Sequence, residues 1–491
     1  MSKLIKFIAD GKEIEAKEGD ILLQVLLDEG ISVPHFCYHE ALGVDGNCRM
    51  CMVEIEGSKR PQISCDTLIK EGMVIKTKGG NIDEVKRSIL ELELINHPVD
   101  CPICDQAGEC KLQDYYMEVG LYDSILTTPK VHKKKHVNLG SNVMLDQERC
   151  VLCQRCTRFT QNVTKTGELG IMGRGDHSYV GVMPGRELNN PYAMNVVDLC
   201  PVGALTSKDF RFKQRVWFLK PVTSICQGCA KGCNILVDHN QEKYKDDVVY
   251  RFRPRLNKNV NGHFICDTGR LSFHNENENR ALFSTINNKE TTPNNAINAF
   301  KSLLEKHNKQ ISFLISPSTS LEDAYAIQKL ADKYGAKLFC DHKSYIDGED
   351  DDLLIRADKA SNLAGMKSLS IDTAEFGECE LLININHKHI VSHKNLVELH
   401  THNRDSKTIL SLAIASYTEQ FGSIINCDGY LQKMNQVVDK KTPQPTIMEI
   451  VGDILGENID IESIWKSLSN IQALQGLNFY QINALGTKVE V

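Results

Sequence analysis

The run Cys150-Val151-Leu152-Cys153-Gln154-Arg155-Cys156, answered after 43 intervening residues by Cys200-Pro201, decides the reading of this chain. Repeated runs of C-x2-C-x2-C-x3-C-P hold two iron–sulfur clusters, and the fourth Cys of each run serves the other run's cluster. Here the fourth position of the first run is Thr160, and the first three positions of the second are Asn190, Ala193 and Val196. The four cysteines that survive all belong to one cluster. The pattern predicts a module that has lost one cluster whole and kept the other whole. Structural zinc also uses C-x2-C, but typically as two pairs rather than a triple with a remote Cys-Pro.

Three further sets lie outward from this stretch. Cys37-x10-Cys48-x2-Cys51-x13-Cys65 keeps the order of a plant-type [2Fe–2S] loop, a single ligand, a close pair and a remote fourth, with a longer first interval. Gly46 lets that loop fold tightly. His97-x3-Cys101-x2-Cys104-x5-Cys110 packs four donors into fourteen residues behind a helix. Cys226-x2-Cys229-x3-Cys233 is completed by Cys266, with Gly228 and Gly232 between the ligands. Each set also suits zinc on spacing alone, the one with a histidine and three cysteines most of all.

Of 18 cysteines, 15 fall before residue 267, so the chain has a metal-rich front and a metal-poor back. With 41% apolar and 25% charged residues it reads as a soluble globular protein of several domains. A net charge of −7 gives no basic field for nucleic acid. The basic runs Lys133–Lys135 and Arg251–Arg255 read as solvated faces or subunit contacts. No apolar run reaches membrane-spanning length. Asp10, Lys12 and Glu13 stand where a signal peptide needs apolar residues. The expectation is a reducing cytosolic setting, in which many cysteines mean metal or redox sites.

Asp10-Gly11 predicts a hairpin between Lys3–Ala9 and Lys12–Ala16, and Asp20–Glu29 a helix closed by Gly30. Ile82–Asn96 reads as a helix with Val85, Ile89, Leu92 and Ile95 on its apolar face. A charged connector covers 121–149, and Gly170–Asn190 reads as hairpins. Behind residue 280, helices are predicted at Asn294–Glu305, Leu321–Tyr334 and His393–Thr401. Strands are predicted at Ile311–Ile315, Leu338–Cys340, Leu381–Ile385 and Thr408–Ala413. This alternation implies a parallel sheet with helices on both faces. Residues 344–375 read as an acidic, irregular excursion, and the last fifty as two amphipathic helices with a polar tail.

With four ligand sets in this order, the chain resembles the large iron–sulfur subunit of respiratory complex I (NADH-quinone oxidoreductase), strongly over residues 1 to about 275 and weakly beyond. The resemblance implies a multidomain α+β and α/β protein. Residues 1–78 would form a β-grasp [2Fe–2S] ferredoxin domain, and 79–120 a helical [4Fe–4S] domain ligated by one histidine and three cysteines. A one-cluster [4Fe–4S] ferredoxin module would cover 140–215, and a [4Fe–4S] domain of the molybdenum/tungsten pterin-enzyme type 219–278. Residues 279–491 would be a truncated, doubly wound molybdopterin-oxidoreductase-like domain. It further implies one [2Fe–2S] cluster on Cys37, Cys48, Cys51 and Cys65. Three [4Fe–4S] clusters would sit on His97, Cys101, Cys104 and Cys110; on Cys150, Cys153, Cys156 and Cys200; and on Cys226, Cys229, Cys233 and Cys266. No molybdopterin is expected, because the late cysteines have no partners and too little chain follows the fourth set.

The function implied is an electron wire from a flavin-bearing subunit toward the iron–sulfur subunits of a quinone module. It would sit peripherally on the cytoplasmic side of the inner membrane, with no direct membrane insertion, no nucleic acid and no complete active site in this chain. A competing class is an iron hydrogenase or a molybdenum formate dehydrogenase. The first needs both ferredoxin clusters and a further cysteine set, the second a longer cofactor-binding half. A zinc-stabilised scaffold needs all four assignments to fail together.

Overall fold

The computed structural model describes residues 3–119, 123–124, 126–241, 248–340, 345–371, 373, 377–387, 392–440 and 443–490. Parts of the expected connector and of the acidic excursion lie outside these residues. The chain falls into two compact units, Met1–Phe218 and Leu219–Val491.

In the first unit, Asp10 and Gly11 both take positive φ, 49° and 84°, the geometry of a two-residue hairpin turn. They join β1 (Leu4–Ala9) to β2 (Lys12–Lys17). Helix α1 (Leu22–Asp28) buries Leu22, Leu23 and Leu26, and Gly30 follows at φ 76°. With β3 (Met52–Ile55), β4 (Gln62–Ile63) and β5 (Val74–Lys76) the sheet order is β2-β1-β5-β3-β4, with β1 parallel to β5. Its core runs from Ile5 and Phe7 through the α1 leucines to Cys51 and Cys65. The core therefore reaches the thiols directly.

Helix α2 (Gly80–Leu94) buries Ile82, Lys86 and Leu90 rather than the stripe read from the sequence. Leu92 is 69% exposed, and Val85 and Ile89 are only half-buried. Lys86 holds an inner position because its ammonium donates to the Thr77 carbonyl. Helix α3 (Lys111–Val119) follows. The next module pairs β6 (Val137–Asn138), β7 (Val143–Leu145) and, later in the chain, β10 (Leu205–Ser207). Between them lie α4 (Arg155–Arg158), the hairpin β8 (Leu169–Met172) and β9 (Tyr179–Val182), and α5 (Asn195–Leu199). A π-helical turn, Phe159–Val163, extends α4 and carries Thr160.

The second unit opens with an antiparallel sheet of β11 (Lys220–Ile225), β12 (Asn234–His239) and β13 (Val249–Pro254). Arg251 and Arg253, from the basic run, both bond the buried Asp238 carboxylate at 2.6 Å, so these two are internal ion pairs rather than a solvated face. The short helices α6 (Asp267–Leu271) and α7 (His274–Asn277) follow.

A seven-stranded sheet then forms from β14 (Ser284–Ile286), β15 (Lys289–Thr291), β16 (Ile311–Ile315), β17 (Lys337–Cys340), β18 (Leu381–Ile385), β19 (Leu396–His400) and β20 (Leu410–Ala413). Its order is β15-β14-β20-β19-β18-β16-β17, with five parallel strands and an antiparallel hairpin at one edge. Helices α8 (Pro293–Lys306), α9 (Leu321–Lys333), α10 (Leu363–Ser368), α11 (Ile447–Leu455) and α12 (Ile461–Leu468) all pack in one cluster with Phe313, Ile383, Val397 and Leu412. They therefore cover one face, where a doubly wound fold puts helices on both. The opposite face holds a small apolar group, Leu314, Leu382 and Leu396, beside a polar one. There Asn384 donates to Glu398 at 2.9 Å, and His400 meets Ser411 at 2.5 Å.

Residues 396–400 are thus a strand, not part of a helix, and α10 is a helix within the stretch read as irregular. A last small sheet, β21 (Gly422–Ile425), β22 (Tyr430–Met434) and β23 (Thr487–Lys488), has no counterpart in the sequence reading.

Candidate metal centres

The loop after α1 and the 3-10 turn Ser64–Asp66 bring Cys37, Cys48, Cys51 and Cys65 together, all buried. The Cys48 thiol bonds Cys37 and draws its pKa down to about 6; Cys65 does the same for Cys51, to about 7. A hydrogen bond to the charged form favours it, so two of the four are inclined to be thiolates. The Phe36 amide donates to Cys48 Sγ at 3.4 Å, and the Ser64 amide and hydroxyl donate to the Cys51 carbonyl at 3.0 and 2.8 Å. Gly46 turns the loop at φ 68°, a conformation that favours glycine.

In the His97 set, the one-turn helix Cys101–Ile103 presents Cys101 beside Cys104, and Cys110 opens α3. Burial pushes the His97 imidazole down to about 4, leaving the neutral ring that a ligand needs. Asp100 and Arg149 adjoin both His97 and Cys104. The Arg149 guanidinium grips Asp100 in two bonds of 2.9 and 2.7 Å. Although burial opposes its ionisation, that pairing, with Lys135, holds Asp100 near 2. Since Arg149 precedes Cys150, one ion pair ties this loop to the start of the next set. A Cβ on Gly203 would stand 2.2 Å from Cys104 Sγ, so glycine there makes room for the sulfur.

Cys150, Cys153, Cys156 and Cys200 line one small, apolar-walled cavity of about 20 Å³, Leu145, Val180, Val202 and Leu205 being among its other walls. Leu152 and Gln154 take positive φ, 49° and 61°, bending the loop around it. The Leu152 amide donates to Cys150 Sγ at 3.4 Å. Burial raises all four thiols, Cys153 to about 12. Four buried thiolates are tolerable only around a positive centre. The positions of the lost ligands are filled. Ala193 and Val196 are buried in the module's core, Asn190 donates to Glu168 at 2.9 Å, and the Thr160 hydroxyl donates to the Thr157 carbonyl at 3.0 Å.

In the second unit, Cys233 lies close enough to Cys226, Cys229 and Cys266 to feel the charge of each. The Gly228 and Gly269 amides donate to Cys226 and Cys266 sulfurs at 3.4 and 3.3 Å. A Cβ on Gly269 would come within 3.0 and 3.3 Å of those same sulfurs. Amides aimed at sulfur and glycines beneath it are what an iron–sulfur group requires. Among the described residues, no three His, Cys, Asp or Glu are gathered as tightly as a single metal ion would demand. The fifteen cysteines singled out from the sequence fall into these four neighbourhoods, and His97 lies near Asp100 and Arg149 at the second. The sequence reading missed Arg149, Asp100 and Gly203, which no spacing rule marks.

Three family models match the chain. They are a 2Fe-2S iron-sulfur cluster binding domain over residues 2–80, the NADH-ubiquinone oxidoreductase-G iron-sulfur binding region over 86–124, and the ferredoxin-like domain of NADH-quinone oxidoreductase subunit 3 over 140–206. The G subunit of the NADH-quinone oxidoreductase of Rickettsia felis is 39% identical over 274 residues, 55% of this chain and 39% of the relative. The NADH-ubiquinone oxidoreductase 75 kDa subunit of Reclinomonas americana is 34% identical over 375 residues, 73% of this chain and 53% of the relative. The chain is a homologue of the NADH-quinone oxidoreductase G subunit.

The match to the G subunit is partial in length: the chain spans about two fifths to a half of the curated relatives it resembles. A solved chain of an NAD+-reducing [NiFe]-hydrogenase in the H2-reduced state aligns at 29% identity and a TM-score of 0.39, covering 43% of this chain and 91% of that one. Among the described residues of this G-subunit homologue, no helix is long and apolar enough to cross a membrane.

Proposed function

We propose that the chain is an electron-transfer subunit that holds one [2Fe–2S] cluster on Cys37, Cys48, Cys51 and Cys65 and three [4Fe–4S] clusters on the other ligand sets. Bound clusters supply one-electron couples. The chain's own residues ligate, exclude water, and present amides to sulfur. The observation that carries this reading is the apolar cavity walled by Cys150, Cys153, Cys156 and Cys200. The chain would carry the five domains expected from the sequence, with 279–491 as a molybdopterin-oxidoreductase-like domain in a structural role.

As part of complex I, the chain would receive electrons from a flavin-bearing subunit and pass them to the iron–sulfur subunits of the quinone module, in the peripheral arm on the cytoplasmic side. The activity would belong to the assembly, with flavin and quinone chemistry supplied by the partner subunits. Reconstitution tests this. NADH should bleach the visible absorption of the clusters only when the flavin subunit is added. Bleaching by NADH with this chain alone would overturn the role.

A further inference from the structure

Arg155 stands between two ligands of one set, yet its side chain turns away to join that set to another. It is 4% exposed. Its guanidinium donates to the carbonyl of Tyr38, one residue past Cys37, and to that of Leu199, one residue before Cys200, the latter at 3.2 Å. One buried cation is thus bonded to the loops of two ligand sets. Two neighbouring contacts hold the same junction: the Asn47 amide donates to the Leu152 carbonyl at 2.8 Å, and Arg158 donates to the Cys37 carbonyl.

Burying a charge is costly unless an opposite charge answers it. The groups near Arg155 that could carry the answering negative charge are the sulfurs of Cys153, Cys200 and Cys37, which would be thiolates when they ligate a cluster. A second, half-buried cation lies near Arg155. Lys111, next to Cys110, sets its ammonium 3.2 Å from His35 Nε2. Reduction adds one negative charge to a cluster, and a fixed cation nearby favours that charged form.

We propose that Arg155 is the shared counter-cation of the Cys37–Cys65 and Cys150–Cys200 centres, bonded to the loops of both and raising the reduction potential of each. This rests on the cluster assignment above.

The test is an anaerobic redox titration of the purified full chain, poised with dithionite and followed by EPR, for wild type, R155Q and R155K. If wild type gives no binuclear or tetranuclear signals, the ligand assignment itself fails. With signals present, R155Q should lower both midpoints together, each by at least tenfold in its reduction equilibrium, about 59 mV for a one-electron couple. R155K, which keeps the charge, should stay near wild type. An unmoved potential at either centre in R155Q, or an equal fall in R155K, overturns the proposal. If R155Q loses iron, R155K decides. Full iron at wild-type potentials supports a charge role; lost iron, or shifted potentials, overturns it.

Discussion

At the residue scale, one tight constraint at a proposed centre falls on a residue with no side chain. Gly203 lies where a Cβ would be 2.2 Å from Cys104 Sγ and 3.1 Å from Gln106 Cβ. Gly203→Ala should cost the His97 centre its cluster, about four iron per chain, while the Cys226–Cys266 centre keeps its own; full iron content in the variant would contradict the geometry. Asp323 offers a pH test away from the clusters. Burial, with Glu322 beside it, pushes its carboxyl from 3.8 up to about 7. The folded state therefore holds a proton that the unfolded chain has released, and stability should fall as pH rises from about 4 to about 7, then level off. Asp323→Asn should flatten that slope and melt higher than wild type at pH 8, by calorimetry at both ends of the range. The proposed ligands were legible in the sequence because a cluster would set their spacing. Gly203, Arg149 and Arg155 were not, because each acts on residues tens of positions away.

At the element scale, helix α12 docks through Trp465, whose indole N–H donates to the buried Glu322 carboxylate at 2.8 Å. The Ser423 amide and hydroxyl complete that carboxylate, both at 2.7 Å. Trp465→Phe keeps the packing and removes one donor, so it should cost about 1–3 kcal/mol; Trp465→Ala adds a cavity and should cost about 3–5 kcal/mol. Denaturant titration that ranks the two otherwise would contradict this docking. Elements with a clear period or turn were readable: the Asp10-Gly11 hairpin, α8, α9, and the apolar run of β16. Strand β19 was read as helix because Glu398 interrupts its apolar run at a helix-like interval. The structure buries that Glu against Asn384 and Ser406 instead. The face of α2 was misjudged for a related reason. A lysine counts as polar in any pattern, but Lys86 is turned inward by the Thr77 carbonyl. Tertiary partners overrode the pattern in both cases.

At the scale of the whole molecule, the first unit gathers three ligand sets and the second carries the fourth beside a sheet whose helices lie on one face. The cysteine imbalance along the chain gave no sign of where the compact units divide. The division falls at Phe218/Leu219, ahead of the fourth set, so that set belongs with the large sheet. The central claim is that four separate centres are iron–sulfur clusters. It is tested most directly by anaerobic iron, zinc and molybdenum analysis of the purified chain, paired with EPR of the dithionite-reduced sample. The account predicts about fourteen iron per chain, no molybdenum, and overlapping binuclear and tetranuclear signals. Stoichiometric zinc with a matching deficit of iron would contradict it.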